Sequence, residues 1–272
     1  MKKAIRVLVF SNMLFLLFLT ASGFFSGAVS DIIYYLAFLC SAFFALFTLR
    51  GEYEPRSLVA LPEKRDIIFT LLGIFPFIGI TMLVSFLTTT LFSLFGLYAT
   101  APDVSGSTVA VLLTHAVVPA LLEEFLFRLV PFTLLGGHSR RAAFLASSLL
   151  FALVHCNVFQ IPYALVAGLL LGAVYVLSGS IIPSLILHLA NNTVSVFWIR
   201  YGGVQSFRDI FVITVTSLAI LSVILMIVLM KDRIRNIFSK LSTDKSKHWF
   251  TFEFLIFVLL TVFIAVSNMF SV

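Results

Sequence analysis

The chain has 272 residues, 61% of them hydrophobic and only 11% charged, with a mean hydropathy of +1.12 and a net charge of +6. A soluble domain carries about a quarter charged residues, so this composition excludes a water-covered globule of this size. The basic excess would suit nucleic acid, but its distribution argues against that partner and for a membrane topology.

Apolar runs of about 20 residues, each enough to cross a hydrocarbon core of roughly 30 Å, recur along the chain at 5–23, 31–49, 66–98, 107–134, 142–157, 160–177, 180–199, 209–230 and 250–270. The pattern predicts an all-α, polytopic transmembrane helix bundle of eight to nine spans. The first run follows Lys2, Lys3 and Arg6. It reads as an uncleaved span because a second apolar run follows almost at once, a cleaved signal peptide being the alternative.

With the N-terminus in the cytoplasm, fifteen Lys and Arg residues fall on the inside, against Arg200 and Arg208 outside. The inside set ends in six within 231–249: Lys231, Arg233, Arg235, Lys240, Lys245 and Lys247. This is the positive-inside distribution. It implies an integral protein of the cytoplasmic membrane, with the lipid bilayer as partner, anionic lipid secondarily, and no nucleic acid. Cys40 and Cys156 both sit in apolar runs and form no disulfide framework or zinc knuckle.

The loop 50–65, with Glu52, Glu54, Pro55, Pro62 and Glu63, separates a two-span hairpin (1–65) from a core at 66–230. A basic loop, expected to be mobile, and a last span occupy 231–272. The third run is over-long and contains Pro76 and Gly79, which predicts a kink or tilt. Ala164, Gly168 and Gly172 recur at four-residue spacing in the sixth run, a small-residue stripe for close helix packing.

Against this apolar background the core buries a polar set. The fourth run contains Glu123-Glu124-Phe125-Leu126-Phe127-Arg128, the fifth Phe151 and His155, and the seventh His188, Asn191 and Asn192. A charge at a helix centre costs on the order of 2.5–3.5 kcal/mol on insertion scales, so such a cluster marks a shared site. Glu124 and Arg128 are four apart and can pair along the helix. Glu123 lies about 100° from Glu124 and about 140° from Arg128, so it should point elsewhere and stay less neutralised. It can then share a water with His155 as general base. His188 and Asn192, again four apart, can donate two hydrogen bonds to an oxyanion. Asn191 lies off that face, and His115 is expected to be structural.

Glu-Glu-x-x-x-Arg, Phe-x-x-x-His and His-x-x-x-Asn in this order on successive membrane helices resemble the CAAX protease and bacteriocin-processing family. That family includes the Ras-converting CAAX endoprotease and many bacterial members. The resemblance covers about 107–200. It implies a glutamate-type intramembrane endopeptidase acting on a membrane-associated peptide or protein. In it Glu123 and His155 activate water, His188 and Asn192 stabilise the oxyanion, Glu124 and Arg128 support them, and Phe151 packs.

No cofactor is expected. The alternative is zinc held by His155, His188 and a glutamate, although no His-Glu-x-x-His motif occurs. Ser178 lacks the glycine of a Gly-x-Ser-Gly motif, no Asp lies deep in a run, and no repeated half suggests a transporter. A non-catalytic scaffold or immunity protein on the same fold is the competing reading.

Overall fold

The computed structural model describes residues 1–26, 28–51, 60–100, 104–242 and 250–270. Glu52, Glu54, Pro55, Arg56, Lys245 and Lys247 lie outside the described residues. Ten helices account for the fold, with no strand among the described residues. They are α1 (Lys2–Ser22), α2 (Ala28–Thr48), α3 (Lys64–Ser93), α4 (Thr108–Leu135), α5 (Arg140–Leu153), α6 (Ile161–Ser178), α7 (Ile181–Tyr201), α8 (Gln205–Leu229), α9 (Lys231–Ser242) and α10 (Phe252–Phe270).

Eight of them are long and apolar enough to cross a membrane. The exceptions are α5 and α9. The run 142–157 is expected to be a full span, yet α5 has 14 residues, about 21 Å at 1.5 Å per residue and short of the roughly 30 Å core. It ends early because the chain turns through Val154–Cys156, where Cys156 has φ +46, the one non-glycine positive φ among the described residues. That left-handed conformation is disfavoured for a residue with a Cβ. It is held by Asn268 Nδ2, which donates to the Cys156 carbonyl at 3.0 Å, and followed by an Asn157 side-chain turn onto the Phe159 N–H.

Polar contacts sort into two ends of the bundle. At one end Arg6 pairs with Glu253, Arg65 with Asp232, and Arg233 with Glu63 and Asp66. At the other, Arg200 donates to the Gly106 carbonyl and to Thr108 Oγ1, and Asn268 reaches Cys156. Successive long helices therefore alternate in direction, with α5 completing the alternation between α4 and α6.

Within the basic loop after α8, the described residues 231–242 are helical. Its first twelve residues form α9, which has no buried residue. Arg233 fastens it to Glu63 and Asp66, the capping-box residues of α3. Helix α3 itself runs without interruption through Pro76.

The small-residue stripe packs as expected. A Cβ on Gly168 would stand 3.0 Å from the Ser148 carbonyl oxygen, and one on Gly172 3.0 Å from the Phe144 ring. Only hydrogen at these positions lets α6 lie against α5. Gly179 at φ +66 then ends α6 in the left-handed cap, and Ser180 caps α7 by accepting from the Ile182 N–H. This tight reversal makes α6 and α7 antiparallel neighbours.

The N-terminal hairpin is joined by Ser11 Oγ donating to the Ser41 carbonyl, and by Phe15 against Phe38 with ring centroids 4.7 Å apart. The same two rings pack edge-on around Phe127 of α4, each at 6.3 Å. The hairpin thus closes one side of the core beside the buried charges.

Candidate active site

Two prolines set the local shape of α4. Pro119 and Pro131 each follow a five-residue π-helical segment, Leu113–Val117 and Phe125–Leu129. In the second, the Val130 N–H reaches back to the Phe125 carbonyl. A proline has no N–H and its ring crowds the carbonyl four residues earlier, so widening the preceding turn relieves the clash. For Pro131 that carbonyl belongs to Phe127. It does not go unpaired: Ser147 Oγ of α5 donates to it, and so does Arg128 Nη1 at 3.3 Å. The widened turn carries the Glu124–Arg128 segment into the interior.

Glu124 and Arg128 are wholly buried, and their ion pair has Nε–Oε2 at 3.6 Å. The guanidinium also lies over the Phe151 ring, 4.5 Å from its centroid, a placement that stabilises a desolvated cation. The other Glu124 oxygen, Oε1, accepts from His188 Nδ1 of α7 at 2.9 Å. His188 Nε2 on the far side of the ring stands 3.5 Å from Glu123 Oε2. Four side chains from two helices therefore form one line: Arg128, Glu124, His188, Glu123.

This differs from the helix-phase expectation, in which Glu123 points elsewhere than Glu124 and Arg128. The 100° separation on α4 is real, but an imidazole has two nitrogens on opposite edges, and His188 uses one for each glutamate. Carboxylates on adjacent residues thus meet the same ring from two sides.

His155 lies just past the end of α5, half-buried, with Nδ1 2.7 Å from the Phe151 carbonyl. A carbonyl only accepts, so Nδ1 carries the hydrogen and Nε2 is the basic nitrogen of the neutral ring. His155 and His188 meet the same Phe151 ring edge-on, with centroids at 5.2 and 5.5 Å. Phe151 is accordingly more than filler: its ring touches Arg128, His155 and His188 and fixes their spacing.

Asn192 is half-buried, one turn beyond His188 on α7. Asn191 has a defined structural partner, its Oδ1 accepting from Thr81 Oγ1 of α3 at 2.8 Å. His115 is exposed and contacts its neighbour Thr114 at 2.8 Å. Cys156 follows His155 in a turn and not on a helix, and its Sγ is directed at the Leu153 carbonyl. Ser147 was not anticipated from sequence. The signal for it was present in Pro131, which leaves the Phe127 carbonyl needing a donor.

Residues 105–194 match the family model Type II CAAX prenyl endopeptidase Rce1-like. The matched segment runs from the start of α4 into α7 and so contains every residue of the site. The expected resemblance to CAAX proteases is borne out over that third of the chain, and it supports a protease of the membrane-embedded CAAX type. No curated protein and no solved structure matches the chain. Among the described residues no three His, Cys, Asp or Glu side chains are arranged to hold a metal ion.

Proposed function

We propose that the chain is an intramembrane endopeptidase that hydrolyses a peptide bond in a membrane-associated peptide or protein, without a metal. The observation that carries this reading is His188 held between Glu124 and Glu123. Glu124, balanced by Arg128, accepts the Nδ1 hydrogen and thereby sets the tautomer and orientation of the ring. Two proton acceptors, Nε2 and a carboxylate oxygen, then face each other at 3.5 Å. A single proton held between them satisfies both, which leaves the Glu123 carboxylate able to accept from a water on its open side.

In the proposed reaction Glu123 takes a proton from the attacking water. His155, which packs on the same Phe151 ring as His188 and has Nε2 unprotonated, is the second acceptor in this reading and relays the proton towards the leaving amine. His188, carrying at Nε2 the proton that it already shares with Glu123 and that it keeps throughout, and Asn192 donate to the oxyanion of the tetrahedral intermediate. Oxygen and hydrogen balance: water supplies hydroxyl to the carbonyl carbon, and its proton ends on the amine.

The same fold without catalysis, as a scaffold or immunity protein, makes the opposite forecast for point variants. Comparing membrane peptides from cells carrying the wild type with those carrying Glu123→Ala, and separately His155→Ala, tests the proposal. Substrate fragments should vanish in both while the protein stays inserted. Unchanged fragments in both variants would overturn hydrolysis.

A further inference from the structure

A concave site lies at the end of the bundle that carries Arg6, Arg233 and Lys240. It is a cavity of about 710 Å³ between the turn after α4, the end of α6 and helix α9. Its polar lining includes His138, Arg140, Lys240, Thr133 and Ser178, and no carboxylate lines it among the described residues. Phe132 and Tyr175, whose rings stack with centroids 4.3 Å apart, give it an apolar wall.

Lys240 is brought there by α9. Its Nζ donates to the Leu177 carbonyl at 2.6 Å and the Val176 carbonyl at 3.1 Å, capping the last turn of α6. An ammonium has three hydrogens, so one is left for a ligand. Burial, and after it the Arg140 charge, lower the Lys240 pKa from its ordinary value. Two cations are therefore held near one another, with burial on one of them. The Asp66 and Glu63 carboxylates offset part of the cost of that placement at Lys240, and an anion in the cavity offsets more.

We propose that this pocket binds the phosphate of an anionic lipid headgroup, with Arg140, His138 and Lys240 as its donors. Two features select a lipid over a free anion: the pocket lies at the ends of membrane-spanning helices, and it has an aromatic wall for the glycerol and upper acyl carbons. This assignment is independent of the hydrolytic reading.

The test is a native mass-spectrometry titration of the full chain in neutral detergent with phosphatidylglycerol, phosphatidylcholine or inorganic phosphate. Wild type should retain phosphatidylglycerol at least about five-fold more tightly than phosphatidylcholine, with Arg140→Gln and His138→Gln each removing most of that preference, on the scale of one basic residue near an anionic headgroup. Arg235→Gln, outside the pocket lining, should leave it unchanged. Thermal unfolding in the same detergent checks that each variant is folded. Equal retention of the two lipids, or an unaltered preference in Arg140→Gln and His138→Gln, would overturn the proposal. So would inorganic phosphate displacing phosphatidylglycerol at equal concentration.

Discussion

His188 Nδ1 stands 2.9 Å from Glu124 Oε1, and this contact joins α4 to α7 at the centre of the membrane-spanning core. It converts two motifs that are 64 residues apart into one unit. It also means that Glu124 acts on the site only through the ring it holds, whereas Glu123 faces the other nitrogen.

That division predicts unequal effects. Glu123→Gln removes the proposed base and should lower the cleavage rate by about 10²–10⁴-fold, the usual contribution of general acid–base catalysis. Glu124→Gln keeps a hydrogen-bond acceptor for Nδ1 and should lower it less. Rates on any identified substrate, measured with both variants at equal membrane abundance, check the order. A Glu124→Gln defect as large as that of Glu123→Gln would assign the chemistry differently.

Arg128 is buried completely and its charge is balanced by Glu124. Arg128→Met should cost about 3–5 kcal/mol of stability, because it strands a buried carboxylate. Adding Glu124→Gln should recover much of that loss. Thermal unfolding of the single and double variants in detergent measures the coupling, and additive losses would mean that the pair contributes no mutual stabilisation.

Gly168 allows α6 to touch the backbone of α5, since an added Cβ would meet the Ser148 carbonyl oxygen at 3.0 Å. Gly168→Val should destabilise the fold by about 1–3 kcal/mol, the cost of overpacking. Gly137→Ala, where nothing lies within 4 Å of the added carbon, should be close to neutral. The shift in unfolding temperature of each variant separates the two.

Helix α9 should loosen in acid. The hydrogen bond from Arg233 to Glu63, and then the Arg233 charge, hold the Glu63 pKa below its ordinary value of 4.5. A depressed carboxylate pKa adds attachment that is fully present above the ordinary value and is lost as pH falls through the lowered one. Amides of Lys231–Ser242 should therefore exchange faster than pH alone explains once the pH falls through that lowered value. In Arg233→Gln the extra acid sensitivity should be absent.

A chelator distinguishes the proposed mechanism from a zinc protease. Activity should persist in excess chelator, measured on the purified protein. Loss of activity that added zinc restores would place a metal at His155, His188 and a glutamate instead.

Much of this molecule follows from composition and spacing alone. The apolar runs dictate membrane helices because an unpaired backbone in hydrocarbon is too costly for any other fold of this pattern. The four-residue spacing of Glu124 and Arg128 fixes their pairing, since it is a property of one helix. The glycine stripe on α6 likewise announced a close neighbour. Sequence did not show which groups face each other between helices. Helix phase sent Glu123 away from Glu124, and only the approach of α7 brought His188 between them. A left-handed turn at Cys156 shortens α5 and takes His155 off the helix that its four-residue spacing from Phe151 predicts. Likewise α9 is a helix because its ends find partners, Glu63 and Asp66 for Arg233 and the α6 carbonyls for Lys240. Contacts within a helix are set by a repeat of 3.6 residues that the sequence carries. Contacts between helices depend on packing, and that is decided only when all of them are assembled.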